Sequence, residues 1–471
     1  MSDKVVHFLT RFSKADRKQF QIFLQSPIFN RREKVSILYE FILKQMDKDP
    51  DLDLDEEAAF KKVYPGEKFV VNKIRKIKAA LLESLLEYLS FKDWKEKDNQ
   101  GIHLLRALNE MGEETFFTSY FQKSLKETNK GQASLRSVED TFALEFERTI
   151  SEYRQLGRGE KSHFPEMIKS LERAELTRIL KFTYMSLMRE KIIGEVSCPN
   201  IFRKLINLIE YETLDHSLPR MYYLLLITLT PDSEWQDLAE LKTLLKEHGE
   251  EVDSLEIRDI YLGAINNFLA HKGRPGEEMR LELWQLNCDM YELLVLARGL
   301  PISPGQYKNM VMLGCRLGKL DWVEEFLTEA KRHLEVSREV AEEVQGFNRG
   351  VFYFYGKDYE EAERAFNRSF KRIPDIFYEL DARAYLLMIF YEMGNSIGME
   401  SLTHSFRVYL EREDRVSDFH RESYGDFIRF YRRMLSVRPD DAKRIQKLKD
   451  EIAQSRMRTG QSWLLERLQA L

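Results

Sequence analysis

Gly350-Val351-Phe352-Tyr353, followed by Gly356, then by Asp358-Tyr359-Glu360-Glu361-Ala362, Phe366 and Pro374, is the stretch that decides the fold. Gly350 lacks a Cβ and lets a paired helix come close, and Ala362 keeps the opposite contact small. Tyr353, Tyr359 and Phe366 fill the space around that contact. Gly356 marks the turn between the two helices, and Pro374 stops the second. The stretch therefore reads as a helical hairpin. Degenerate copies flank it. Upstream, Gly318 aligns with Gly356, Trp322 stands one residue beyond the place of Tyr359, and Phe326 falls about where the small Ala362 belongs. Downstream, Phe390, Tyr391 and Gly394 align with Phe352, Tyr353 and Gly356.

Outward from the hairpin, apolar residues recur at three and four positions, as in Phe8, Phe12, Phe20, Phe23 and Leu24, and again in Ile74, Ile77, Leu81, Leu82, Leu85, Leu86 and Leu89. No period of two persists. Ser303-Pro304-Gly305-Gln306 combines an N-cap Ser, Pro at the first helical position and Gln three residues after the cap, and Thr230-Pro231-Asp232 starts a helix in the same manner. Connections are short, so successive helices are expected to be antiparallel neighbours. With 12 Pro and 22 Gly in 471 residues the chain has few breakers, and its 30 Phe and 21 Tyr suit the grooves between packed helices.

The Gly350 to Phe366 pattern resembles a tetratricopeptide repeat. With its flanking copies it implies an all-α fold, a helical-hairpin solenoid (tetratricopeptide-like superhelix) with an N-terminal helical cap or small domain. Three segments are expected. Residues 1–100 form the N-terminal helical domain or cap, with an acidic loop from Asp47 to Glu57, a turn at Tyr64-Pro65-Gly66, a helix from about Val70 to Phe91, and a seam at Gln100-Gly101. Residues 101–300 form a degenerate helical-hairpin array, where the repeat pattern fades. Residues 301–471 hold the tetratricopeptide-like repeats and C-terminal capping helices. Ser26-Pro27-Ile28-Phe29-Asn30 within Phe20 to Asn30, Phe60-Lys61-Lys62-Val63-Tyr64-Pro65-Gly66, Tyr391 to Leu410 and Asp426-Phe427-Ile428-Arg429-Phe430 together resemble an uncharacterised family of helical-repeat proteins found in Bacteroidetes bacteria. That resemblance implies a helical fold and brings no activity.

Charge and motif content narrow the function classes. The 73 Lys/Arg nearly balance 78 Asp/Glu, a net charge of −5, which describes a surface of mixed sign rather than a sheath for nucleic acid or acidic lipid. Cys198, Cys288 and Cys315 stand far apart in no Cys-x-x-Cys spacing, so no zinc site or disulfide framework is indicated and a reducing cytoplasm is the expected location. The start, Met1-Ser2-Asp3-Lys4-Val5-Val6-His7, has no cleavable apolar run, and the longest oily stretch, Met221 to Leu229, reads as a buried helix, so no membrane insertion is expected.

Gly157-Arg158-Gly159-Glu160-Lys161-Ser162 evokes a phosphate-binding loop, but Glu160 separates Gly from Lys and Arg154 replaces the first Gly. Only Glu160-Lys161-Ser162-His163 has the Glu-x-x-His form of a bundle metal centre, and Glu329 with His333 or Glu400 with His404 reads as an ordinary surface pair. No nucleophile elbow and no Cys beside a His is present. A non-enzymatic chain without metal or cofactor is expected.

Partner binding is expected on the first helix of each pair, which lines the groove of such arrays. Lys308 and Arg316, Phe354 and Tyr355, and Met388 and Tyr391 occupy those helices. Of the five places that hold a partner's terminal carboxylate in some tetratricopeptide domains, only Asn348 fits. Asn309, Leu313, Ala382 and Leu386 stand in the others, so a more apolar protein or peptide is expected. The alternative is a regulator whose N-terminal domain touches DNA through Lys73, Arg75, Lys76 and Lys78, which follow a short helix and a turn as in helix-turn-helix proteins. Those cations also suit a solvated face backing Ile74, Ile77 and Leu81, and net negative charge disfavours nucleic acid. Arg429, Arg432, Arg433 and Arg438 form a second basic cluster, near a helix end where arginines oppose the dipole.

Overall fold

The computed structural model of the chain describes residues 4–46, 54–96, 100–155, 162–193, 198, 200–230, 233–270, 276–368, 370–455, 457 and 459–471. Among these the chain is all-helical, with 23 α-helices, a few short 3-10 and π segments and no strand. Extended pairing is limited to isolated bridges, Ala133 with Val252 and Ile302 with Leu334. No helix among the described residues is long and apolar enough to cross a membrane. The phosphate-loop-like residues Gly157 to Lys161, the Glu160 of the Glu-x-x-His match, most of the acidic loop from Asp47, and Pro231-Asp232 lie outside the described residues.

Local signals account for the helix starts. The Ser303 hydroxyl accepts from the Gln306 N–H at 3.2 Å while the Gln306 side chain accepts from the Ser303 N–H at 3.1 Å, a reciprocal cap that starts the helix Pro304–Arg316. Ser13 and Asp16 do the same for Lys14–Gln25. The helix expected from Thr230 begins at Trp235, where Asp237 accepts from the Glu234 N–H at 2.8 Å. Met221 to Leu226 is buried, apart from the half-buried Tyr223, within the helix Ser217–Ile227, because both its flanks are apolar.

By internal packing the chain divides into two compact units, Met1–Gly131 with Arg136–Ala174, and Gln132–Leu135 with Glu175–Leu471. The first holds a core from Val5 to Tyr88, in which Phe20 lies 5.0 Å from Tyr39 and 5.2 Å from Tyr88, and a smaller cluster of Leu105, Phe117, Phe121 and Leu144. The Tyr39 hydroxyl donates to the Arg17 carbonyl at 2.7 Å, so the buried phenol is satisfied.

The second unit holds a core running from Leu180 to Leu294 and another from Tyr291 to Leu468. In the latter, Arg338–Tyr355 packs against Pro304–Arg316 on one side and Tyr359–Phe366 on the other. Phe377–Glu392 follows on both and is covered in turn by Ser396–Arg412. Phe347 is the hub: its ring lies 5.3 Å from Phe366, 5.5 Å from Phe370 and 4.7 Å from Tyr378. A Cβ on Gly350 would stand 2.9 Å from the Phe366 ring, so the close approach read from the sequence is realised. Each fully buried ring contributes about 1.5–3 kcal/mol.

Candidate functional site

Three turns in the second unit share one geometry. Gly318, Lys357 and Gly394 have φ of +69°, +62° and +69°. In each, the N–H of the left-handed residue bonds to the carbonyl three back (Cys315, Phe354, Tyr391), and the next N–H to the carbonyl five back (Gly314, Tyr353, Phe390). This is a Schellman helix end, in which the left-handed place normally takes glycine. The equivalent of Gly318 and Gly394 is therefore Lys357 and not Gly356, whose φ of −72° is right-handed. The register read from sequence is corrected by one residue. Ala362 then matches Val323, not the neighbourhood of Phe326.

On the corrected register Arg316, Tyr355 and Glu392 hold equivalent places, two residues before the left-handed position, and all three line one cleft of about 220 Å³. Arg316 Nε donates to the Tyr355 hydroxyl at 3.1 Å. Glu392 accepts from Trp463 Nε1 at 2.8 Å and pairs with Arg467 at 3.3 Å, both on the last helix, Gln461–Ala470. The floor is apolar and buried, with Phe354, Tyr385, Met388 and Trp463. The rim is charged and exposed, with Arg316, Lys357 and Glu466.

Of the six residues expected to bind a partner, the cleft gathers four: Arg316, Phe354, Tyr355 and Met388. Tyr391 stands behind it, its ring 5.3 Å from Trp463. Lys308 is 7% exposed and pairs with Asp381 at 3.1 Å beneath the surface. Tyr424 donates to the same carboxylate at 2.7 Å and Thr459, on the cleft wall, at 3.0 Å. Burial first, and then the Asp381 charge, raise the Tyr424 phenol far above its ordinary value, which keeps it a donor. Lys308 thus ties helices together and offers no surface. Asn348 is fully buried and donates to the Val344 carbonyl at 2.7 Å.

Glu392, Trp463 and Arg467 were not legible as site residues. Gly356, one place before the left-handed residue, sets Phe354 rather than Tyr355 level with Arg316 and Glu392, and the last helix has no repeat pattern. The alignment of Gly318 with Gly394 sets Glu392 level with Arg316, and the shared left-handed geometry brings Tyr355 to the same place.

The alternative nucleic-acid residues lie on the helix Val71–Glu96. Lys73 pairs with Glu67 and Lys78 with Glu56, at 2.6 Å for the latter. Arg75 and Lys76 are exposed. Ile74 and Leu81 are fully buried on the opposite side of the same helix. The connection 64–70 from the helix Glu56–Val63 is longer than the three- or four-residue turn of helix-turn-helix proteins. Among the described residues no group of three or more His, Cys, Asp and Glu side chains is placed to hold a metal ion. Comparison with family models, with curated proteins and with solved structures finds no match to the chain.

Proposed function

We propose that the chain is a non-enzymatic adaptor or scaffold, that residues 301–471 are a tetratricopeptide-like solenoid, and that its cleft binds an apolar-anchored peptide of a partner protein. The observation that carries this is the convergence of Arg316, Tyr355 and Glu392, three equivalent helix ends, on one cleft with a buried aromatic floor. Tyr, Trp and Arg are the residues most often dominant in protein recognition, and this cleft has all three. Its volume of about 220 Å³ falls below the roughly 300–1,000 Å³ of typical small-molecule sites. It suits one anchoring side chain of a longer ligand better than a whole metabolite. The sequence resemblance to helical-repeat proteins is in keeping with this reading.

Panning a displayed random-peptide library on the full chain tests it. The expected result is a convergent apolar-anchored motif whose synthetic peptide loses at least about tenfold in affinity, about 1.4 kcal/mol, in Arg316→Ala and in Tyr355→Ala while helicity is unchanged. No enrichment, or peptides that bind both variants as well as the parent, would refute it.

A further inference from the structure

The arginine cluster near residue 430 leads to a second surface. Ser396–Arg412 and Asp418–Leu435 pack side by side, yet the seam between them is open. Two cavities of about 590 and 550 Å³ lie along it and share Arg407, Ile428 and Arg432, so they form one groove. On one wall Arg421, Gly425, Ile428, Arg429, Arg432 and Ser436 recur at three and four positions, a single helix face. The cleft of the proposed function shares no lining residue with this groove.

The groove is basic with an apolar floor. Five arginines line it, and Ile428 and Leu410 beneath them are buried. Arg429 is tied to Asp426 at 2.9 Å and Arg433 to Glu451 at 3.2 Å, both outside the lining, and Arg407 lies 3.9 Å from Glu411 on its own helix, whereas Arg432 is exposed and has no ion pair among the described residues. Arg421 gives Nη2 to the Glu413 and Val416 carbonyls, at 3.2 and 3.1 Å, and its buried Nη1 has no acceptor. Gly425 is a second, independent observation. It sits inside the helix at negative φ, where glycine costs about 1 kcal/mol relative to alanine, and a Cβ there would meet nothing within 4 Å. Neither the backbone nor packing calls for glycine at that place; its absent side chain leaves open space in the first of the two cavities.

We propose that this groove docks an acidic segment of a partner protein in which carboxylates alternate with apolar side chains. The carboxylates meet Arg432 and Arg407, and the apolar side chains meet Ile428 and Leu410. A nucleic acid fits less well: the floor of Ile428 and Leu410 is aliphatic, and no Phe, Tyr or Trp lines either cavity for bases to stack on. From Ser396 to Glu411 the wall runs about 22 Å at 1.5 Å per residue, room for about seven residues of extended peptide. With the cleft, the unit would hold two ligands at once, as an adaptor requires.

The test is fluorescence anisotropy of the full-length protein with a fluorescein-labelled heptapeptide of alternating Asp and Leu, with a single-stranded oligothymidylate as comparison. Saturable peptide binding is expected, weakening as salt rises. It should fall at least about tenfold in Gly425→Trp, which fills the open space beside Gly425, and in Arg432→Glu, and stay unchanged in Tyr355→Ala. Arg432 is exposed and unpaired, so its variant decides the matter if the tryptophan variant does not fold. No peptide binding, binding that survives both groove substitutions, or tighter binding of the oligonucleotide would overturn the proposal. Because Tyr355→Ala reports only on the cleft, failure here and failure of the cleft reading are distinguishable.

Discussion

Lys357 sits where Gly318 and Gly394 sit in the flanking turns, at φ +62°, a conformation that costs an L-residue roughly 1–2 kcal/mol. Such strain persists at places retained for a ligand, and Lys357 is on the rim of the cleft. Lys357→Gly should therefore raise the urea midpoint by the equivalent of about 1 kcal/mol while weakening the cleft peptide; a variant no more stable than the parent would remove the strain from the account. Gly314 presents the opposite case. A Cβ there would stand 2.7 Å from Val323 and 2.8 Å from Trp284, so Gly314→Ala should destabilise by about 1–3 kcal/mol in the same assay. Lys308 was legible as a cation on a first helix but not as a buried one, because its burial depends on Asp381, 73 residues away. Removing only one member of that pair, as in Lys308→Met, should cost about 3–5 kcal/mol and flatten the unfolding transition before it affects any ligand. Cys198 and Cys315 are buried and Cys288 half-buried, and desolvation pushes Cys288 and Cys315 up to about 12 and raises Cys198. Cys198 and Cys315 should not react with a thiol-specific disulfide reagent at pH 8 until denaturant is added.

At the scale of helices, what was legible depended on whether the cause is local. The cap at Ser303 is, since its partner Gln306 is three residues away. The seven-residue π segment Tyr291–Ala297 shows no such local cause: Tyr291, Leu294 and Val295 keep ordinary helical spacing. Likewise the open seam at Gly425 gives no sequence signal beyond a glycine in a helical pattern. In the N-terminal core, Lys14–Gln25 is fastened to Val71–Glu96 by Asp16 and Lys92 at 2.5 Å. That hydrogen bond, then the one from Ser13, lowers the Asp16 carboxyl from 3.8 to about 2. A carboxyl depressed in the folded state stabilises above its ordinary value and loses that contribution as pH falls through about 2. The stability gap between the parent and Asp16→Asn should accordingly be full at pH 6 and close between about pH 4 and pH 2, measured by urea titration; a gap independent of pH would contradict the assignment.

For the whole molecule, helical class was readable because period and punctuation agree along the chain, whereas the residues of the proposed cleft were readable only where the repeat pattern is strong. Four residues named from that pattern meet in one cleft, and the residues that complete it are Glu392, from the weak copy that ends at Gly394, and Trp463 and Arg467, from a last helix that bears no motif. The claim that this cleft engages a protein partner is tested most directly by photo-crosslinking from its wall. A benzophenone amino acid placed at Tyr355 in the full-length chain, expressed in the cells that naturally make it, should yield on illumination one discrete adduct. Arg316→Ala should abolish it, and the same crosslinker at the exposed Glu360 should not form it. A chain that forms no adduct at Tyr355, or an adduct indifferent to Arg316, would contradict the account.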